Sequence, residues 1–430
     1  MSTNKPRKEP FQSPKGMHDI MGDVYYAYQG LFEKAQEVAV YYGFKPIAIP
    51  IVEQQELFET TIGIGTDIVD KEMYTLKTKG GDQLALRPEF TAGVMRAYIE
   101  HGMQSETQPI MLYSSGPLFR HDKPQRGRYR QFHQFNLEVL GTKKSIADAL
   151  VIKTAVVIIE EAGAKNLIVD INSIGDKESR TNYLRELTTY YKKHINQMPA
   201  EARERLKTNP LRLLDSKDPK MIAINIDAPE SVAFLNPESK KHLKEVLEYL
   251  DEMNIVYRLN KNLVRGLSYY THTVFEIFDE SDSEVGPLSL GGGGRYDYLG
   301  TMLGSKKEIP AIGMAFGMDR IIESPWYTNL APKINKKPKC YFIQLGFDAK
   351  LKALPIIDIL RKGHIPVLQS LTKDSLTSQL ATAERSGVPY TLIFGQKEAL
   401  ENSVIVRDMV NHSQKTVKID KLVEYIKEMK

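Results

Sequence analysis

The sequence predicts two folds in series: an α+β domain around a mostly antiparallel sheet with a helical insertion, then a small α/β domain. Three observations carry this. Strand-like runs cluster between Tyr74 and Gly141 and again between 255 and 297, rather than alternating strictly with helices. A charged, helix-periodic stretch from about Asp176 to Met253 separates the two clusters. Beyond the proline and lysine segment APKINKKPK (331–339), strand and helix signals do alternate, as in βαβ units. These divide the 430 residues into a first domain (1–330, insertion at about 176–253), a linker (331–338) and a second domain (339–430).

Taken in order, residues 22–42 place apolar side chains at helical spacing and stop at Gly43. FKPIAIPIVE is a β-rich run interrupted by Pro46 and Pro50. The segments 74–91 and 111–141 alternate like paired strands joined by short loops such as KGGD, and 145–163 return to helical period. Runs such as KESRTNYLRELTTYYKKH and ESKKHLKEVLEYLDEM make the insertion helical. Strands resume at 255–278 and 285–297, and PAIGMAFGMDRIIE (310–323) reads as a strand entering a helix. The second domain begins with KCYFIQLG, then a helix at 349–362, IPVLQ, a helix at 374–386 and YTLIFG.

Composition excludes several classes. The single Cys340 rules out a disulfide framework and a multi-cysteine zinc site, and it suits a reducing, cytoplasmic compartment. No run approaches the roughly 20 apolar residues of a membrane span, and the first ten residues lack the apolar core of a signal peptide. The nine histidines show no HExxH spacing, and no metal ligand set is identified. No GxSxG elbow or Walker A sequence is present. A net charge of +4 is mild, so any polyanionic partner must be argued from local clusters.

Such a cluster is LFRHDKPQRGRYRQFHQF (118–135). Arg120, Lys123, Arg126, Arg128 and Arg130 face a single acid, Asp122, which suits phosphates. In a strand from Tyr129 to Val139, Phe132, Gln134, Asn136 and Glu138 share one face, while His133, Phe135, Leu137 and Val139 share the buried one. The first face is an aromatic plate followed by amide and carboxylate groups. It reads either as a ligand wall or as an ordinary exposed sheet face. In QLALRPEFTA (83–92), Arg87, Glu89 and Thr91 are expected on one strand face, with a carboxylate suited to an ammonium group. In LVRGLSYYTHTVFEI (263–277), Arg265 precedes a glycine and two tyrosines. LGGGGRYD (290–297) is either a tight flexible turn or a place where a ligand approaches the backbone. Arg320, at the expected start of a helix, is placed to face an anion.

In this order and spacing, the segments resemble the histidyl-tRNA synthetases, a class II aminoacyl-tRNA synthetase family, over nearly the whole chain. PKGMHDI is similar to the family's N-terminal signature. FKPIAIPIVEQQELF resembles motif 1, GPLFRHDKPQRGRYRQFHQFNLEVLG motif 2 and PAIGMAFGMDRI motif 3, while LVRGLSYYTHTVFEI and GGGGRYD resemble the two histidine-specific signatures. NSIGD and TNPLRLLDSKD extend the likeness into the insertion.

The resemblance implies a class II synthetase-type catalytic domain, an anticodon-binding C-terminal domain, a homodimer, and ATP, Mg2+, L-histidine and tRNA(His) as reaction partners. It implies that Arg120 and Arg265 hold the α-phosphate of ATP and that Phe132 stacks on adenine. Arg320 would hold the far side of the triphosphate. Glu89, Thr91, Gln134, Glu138, Tyr269, Tyr270 and Tyr296 would hold histidine, and Gln125, Arg126 and Arg128 would meet the tRNA. Three departures from the family pattern stand at Phe90 (glycine expected), Ser268 (aspartate) and Asp122 (glutamate). A second implied reading is the inactive, synthetase-like regulatory subunit of ATP phosphoribosyltransferase. Phe90 favours it; Arg265 in its RGLSYY setting and the segment 339–430 favour the enzyme. A general nucleic-acid-binding protein would explain the basic loop but not the polar strand faces.

Overall fold

A computed structural model describes residues 11–63, 66–124, 127–265, 267–281, 288–334 and 337–429. The chain forms two units, Met1–Pro332 and Lys333–Lys430.

In the first unit, α1 (Gly22–Tyr41) buries Leu31, Ala35, Val38 and Ala39 along one stripe, and Gly43 ends it at φ +92°. The following run is less β-rich than its residues suggest. Pro46 and Pro50 each remove a backbone donor, leaving only β1 (Lys45–Pro46) and β2 (Val52–Gln54) before α2 (Gln55–Ile62). Then come β3 (Thr75–Lys77), β4 (Gln83–Leu86) and α3 (Thr91–Glu100). The long strands β5 (Ile110–Phe119) and β6 (Gln131–Leu140) lead into α4 (Ser145–Glu161) and β7 (Leu167–Ser173). The insertion supplies α5 (Lys177–Lys193), α6 (Ala200–Thr208), α7 (Pro219–Asn225) and α8 (Pro237–Glu252). The unit closes with β8 (Tyr257–Leu259), β9 (Thr271–Asp279), β10 (Leu288–Arg295), α9 (Leu299–Met302), β11 (Ala311–Gly317) and α10 (Met318–Ile322).

Eight of these strands form one sheet in the order β1-β5-β6-β11-β10-β9-β7-β8. It is antiparallel from β5 through to β7 and parallel only at its two edge pairs. One face of it packs on α1, α4 and α8. There Phe135 stacks between Tyr113 and Phe316, each 5.4 Å away, and Leu137 and Val139 join the same core. The other face carries the polar side chains of β6.

Two further sequence expectations change, and one open reading is settled. The face-sharing strand over Arg87, Glu89 and Thr91 does not exist: β4 stops at Leu86 because Pro88 cannot continue the ladder, and Thr91 opens α3. Of the two readings of the four-glycine run, the turn is excluded: the run is the body of β10, within the strand expected at 285–297, and is paired on both sides. The helical stretch is not a single insertion. Tyr183, Leu187, Leu206, Met221 and Ile224 of α5 to α7 make a core of their own, whereas Val246 and Leu250 of α8 bury in the main core.

The second unit is a five-stranded sheet, with β12 (Cys340–Gln344), β13 (Val367–Gln369) and β14 (Tyr390–Phe394) parallel, and β15 (Ser403–Asp408) and β16 (Gln414–Lys418) antiparallel. α11 (Phe347–Lys362) and α12 (Leu376–Arg385) connect the parallel strands, while α13 (Gln396–Glu401) and α14 (Leu422–Glu428) complete the unit. Among the described residues, no helix is long and apolar enough to cross a membrane.

Candidate active site

The polar face of β6 needs room above it, and the neighbouring strands supply that room by lacking side chains. Gln134, Asn136 and Glu138 lie opposite Gly317, Ala315 and Gly313 of β11. Beyond it, β10 presents Gly291 to Gly294. A Cβ on Gly292 would meet the Arg265 guanidinium at 2.8 Å, and one on Gly294 the Tyr270 ring at 2.9 Å. Glycine here is required by close approach, not by turn geometry. The result is two adjoining cavities, of about 420 and 170 Å³, which share Ile68, Arg120, Gln134, Arg265, Gly292 and Ala315 in their walls.

The smaller cavity is lined by Glu89, Thr91, Tyr269, Tyr270 and Tyr296. Glu89 is buried and accepts from the backbone N–H groups of Thr91 and Ala92, so it caps α3 while facing the cavity. Burial pushes its pKa up, against the pull of those two donors. Glu138 lies beneath the floor. It accepts from Thr91 Oγ1 at 2.6 Å, Asn136 Nδ2 at 2.8 Å and the Tyr296 hydroxyl. Burial raises its pKa to about 7 even so. Tyr269 packs against Tyr270 and Tyr296, with ring centroids 4.8 and 5.7 Å apart. Arg295, fully buried between Asp148 and Asp297, fixes the strand end that carries Tyr296.

The sequence departures have local answers. The Ser268 hydroxyl donates to the Ile62 carbonyl at 2.6 Å, and its own carbonyl accepts from Arg180 at 3.0 Å, so this loop is anchored without an aspartate. Phe90 is buried in the apolar cluster that includes Tyr269, Tyr270 and Tyr296 and forms part of the wall of the smaller cavity, with the Arg87 guanidinium 4.6 Å from its ring centre. Arg87 itself donates to the carbonyls of Ile49 and Pro117.

In the larger cavity, Arg120 lies 5.3 Å from the ring centre of Phe132 and donates to the Pro88 carbonyl at 3.0 Å. Burial lowers its pKa, with Glu72 and Glu89 opposing. Arg265 pairs with Glu276 at 3.4 Å and with Tyr270. Burial works against its charge, but those two neighbours raise its pKa overall. Arg320 donates to the carbonyls of Gly127 (3.2 Å) and Ser289 (2.5 Å). The adjacent Asp319 ties α10 to β6 and α1 by accepting from the His133 N–H and the Tyr28 hydroxyl, both at 2.6 Å. Arg128 lines the cleft and sits 3.5 Å from Asp122. Gln125 and Arg126 lie outside the described residues.

A family model described as histidyl-tRNA synthetase matches residues 16–321, and one described as an anticodon binding domain matches residues 339–429. The chain belongs to the histidyl-tRNA synthetase family. It is 37% identical over 417 residues to a histidine–tRNA ligase of Dehalococcoides mccartyi, covering 97% of this chain and 99% of that one. It is 39% identical over 411 residues to that of Aquifex aeolicus, covering 96% and 99%. Apo S. aureus histidyl-tRNA synthetase superposes with a TM-score of 0.80 at 32% identity, covering 97% of this chain and all of that one. A Bacillus halodurans protein titled as an ATP phosphoribosyltransferase regulatory subunit/histidyl-tRNA synthetase shares the fold at TM-score 0.61 and 20% identity, covering 87% and 97%. The regulatory reading is thus the less supported one, and the chain has the class II synthetase architecture expected of the family.

Within that family frame, several site features were missed from sequence. Gly313, Glu276, Ser289 and Arg212 were not singled out. Gly313 had a signal, since glycine or alanine recurs at every second position of IGMAFG. Arg212 had only its place in TNPLRLLDSKD, a segment that resembles the family but gave no sign that it reaches the cleft.

Proposed function

We propose that this protein is a histidine–tRNA ligase. It activates L-histidine with ATP to histidyl-adenylate and pyrophosphate, then transfers histidine to the 3′ end of tRNA(His). The observation that carries this is the meeting of two cavities at Arg120, Gln134 and Arg265. One compartment suits a nucleotide and the other a small zwitterion, and the cations stand where the two ligands would react.

In this reading Phe132 stacks on adenine, Arg120 and Arg265 hold the α-phosphate, and Arg320 holds the outer phosphates. Glu89 takes the histidine ammonium. Gln134 and Thr91 orient the amino acid, and the tyrosines Tyr269, Tyr270 and Tyr296 enclose its imidazole, with Glu138 acting through Thr91 and Tyr296. The histidine carboxylate attacks the α-phosphorus in line and pyrophosphate leaves. A ribose hydroxyl of the terminal tRNA nucleotide then attacks the acyl carbon and AMP leaves. Such chemistry needs alignment and fixed positive charge more than a nucleophilic side chain. A pocket of buried polar groups also rejects amino acids that leave those groups unpaired.

Magnesium fits this cleft as a companion of the nucleotide. Asp67, Glu72 and Glu276 are among the acids that line the cleft. One or two of them, together with the phosphates, would hold the ion. Bound there, it would neutralise phosphate charge. Arg128, with Gln125 and Arg126, would meet the tRNA end, residues 339–430 the anticodon, and the protein would work as a cytoplasmic homodimer.

Charging of tRNA(His) transcript with radiolabelled histidine tests this. Histidine-dependent, ATP-dependent charging is expected; none with active transcript would overturn it.

A further inference from the structure

The insertion reaches the nucleotide cleft through one side chain. Among the described residues of 176–253, Arg212 alone lines the larger cavity. It sits in the short 3₁₀ turn Pro210–Leu213, between Leu211 and Leu213, which are both buried in the insertion's own core. Those two anchors fix the backbone, so the guanidinium is presented from a rigid base. Its Nη1 lies 3.4 Å from Asp67 Oδ2, and Arg212 is only 24% exposed. Asp67 opens the segment whose Ile68 and Glu72 also line the cleft, and its other oxygen is 3.2 Å from Lys71.

We propose that Arg212 is a further phosphate-binding residue of the cleft, supplied by the insertion and engaging the β- and γ-phosphates of ATP. The reasons are positional and electrostatic. Arg120 and Arg265 stand at the junction of the two cavities, which assigns them to the α-phosphate. Arg320 reaches in from β11 and α10, where it is held by Gly127 and Ser289. Arg212 lines the larger cavity and not the smaller one, beside Asp67 and Glu72, so it would grip the phosphates beyond the α-position from a second element. The contact with Asp67 is longer than the 2.7–2.9 Å of a strong charge-assisted hydrogen bond. A phosphate, which accepts from guanidinium as a fork, competes well with it. Binding of the nucleotide tail would then also tie the insertion to the catalytic body.

A second contact supplies the control. Arg180 of α5 donates to the Ser268 carbonyl, so it holds the insertion to the loop of the smaller cavity without lining either one. The inference rests on the ligase reading above, and the experiment separates the two. Calorimetry on the full chain measures the Kd for ATP and for AMP, which lacks the outer phosphates. Arg212→Ala is expected to weaken ATP by about tenfold, the scale of one charge-assisted contact, and to leave AMP unchanged. Arg212→Lys should restore part of the loss. In pyrophosphate exchange, Arg212→Ala should raise the KM for ATP and not that for histidine, whereas Arg180→Met should raise the KM for histidine and preserve the ATP-to-AMP ratio. Equal weakening of ATP and AMP, weakening of neither, or the same ATP-selective defect in Arg180→Met would overturn the role of Arg212. Absence of exchange in the unsubstituted protein would instead remove the ligase reading itself.

Discussion

Gly313→Ala tests how the floor of the amino-acid cavity is built. β11 crosses β6 with Gly313 opposite Glu138, and a Cβ on Gly313 would fall among the carboxylate atoms, 2.9 Å from even the farther oxygen. Neither strand can yield cheaply, because both are paired on each side within the sheet. The carboxylate must turn away, and it then releases Thr91, Asn136 or Tyr296. Overpacking by one methyl costs about 1–3 kcal/mol. Each buried polar group left unpaired adds about 1–3 kcal/mol. With one or two partners lost, the first unit should be destabilised by about 4 kcal/mol. Urea unfolding followed at two wavelengths measures this, and exchange kinetics measure the site. Histidine KM should rise by at least about tenfold, the consequence of displacing groups worth a hydrogen bond each. ATP KM should change little, since Phe132 and Arg320 make no contact with Glu138. An unchanged unfolding midpoint together with an unchanged histidine KM would show that Glu138 does not need the space above Gly313.

Glu138→Gln addresses the same carboxylate through pH. Its pKa is raised by burial to about 7 in the folded chain, so the native state holds its proton more tightly than the unfolded state does. Its stabilising contribution is complete below the unfolded value and is lost as pH rises through about 7. The glutamine variant should therefore be more stable than the parent at pH 8, by up to ~3 kcal/mol, with the gap closing towards pH 4. A gap independent of pH would show that Glu138 is not protonated on folding. Arg265→Ala should cut adenylate formation by about 10²–10³-fold, as loss of one fixed donor to a reacting anion does, while histidine binding by calorimetry persists; a near-normal rate would remove its assigned role. Deletion of residues 338–430 should spare pyrophosphate exchange more than tRNA charging, and equal loss of both would count against an anticodon role for the second unit.

What the sequence revealed depended on whether a local rule governed the segment. The polar face of β6 was legible because a strand alternates with period two, and Phe135, Leu137 and Val139 bury as that period requires. The strand–helix alternation after residue 339 was legible for a similar reason. Arg87, Glu89 and Thr91 were misread because Pro88 breaks the strand and the Glu89 side chain starts a helix, a competition that alternation alone does not reveal. The strand β10 was expected at 285–297, but its glycine run has no side-chain period, so turn and close ligand approach both stayed open there. The helix α8 has the same apolar spacing whichever body it packs on, so its place in the main core was invisible. Arg212 and Asp67 lie 145 residues apart in sequence, and only the fold brings them to one cleft.

In the ligase reading, histidine and ATP react where the two cavities join, without help from tRNA. Exchange of labelled pyrophosphate into ATP by the purified 430-residue chain, with magnesium and no tRNA, is the decisive measurement. Exchange is expected to depend on histidine and not to be supported by other amino acids. No exchange with histidine, or equal exchange with unrelated amino acids, would contradict it.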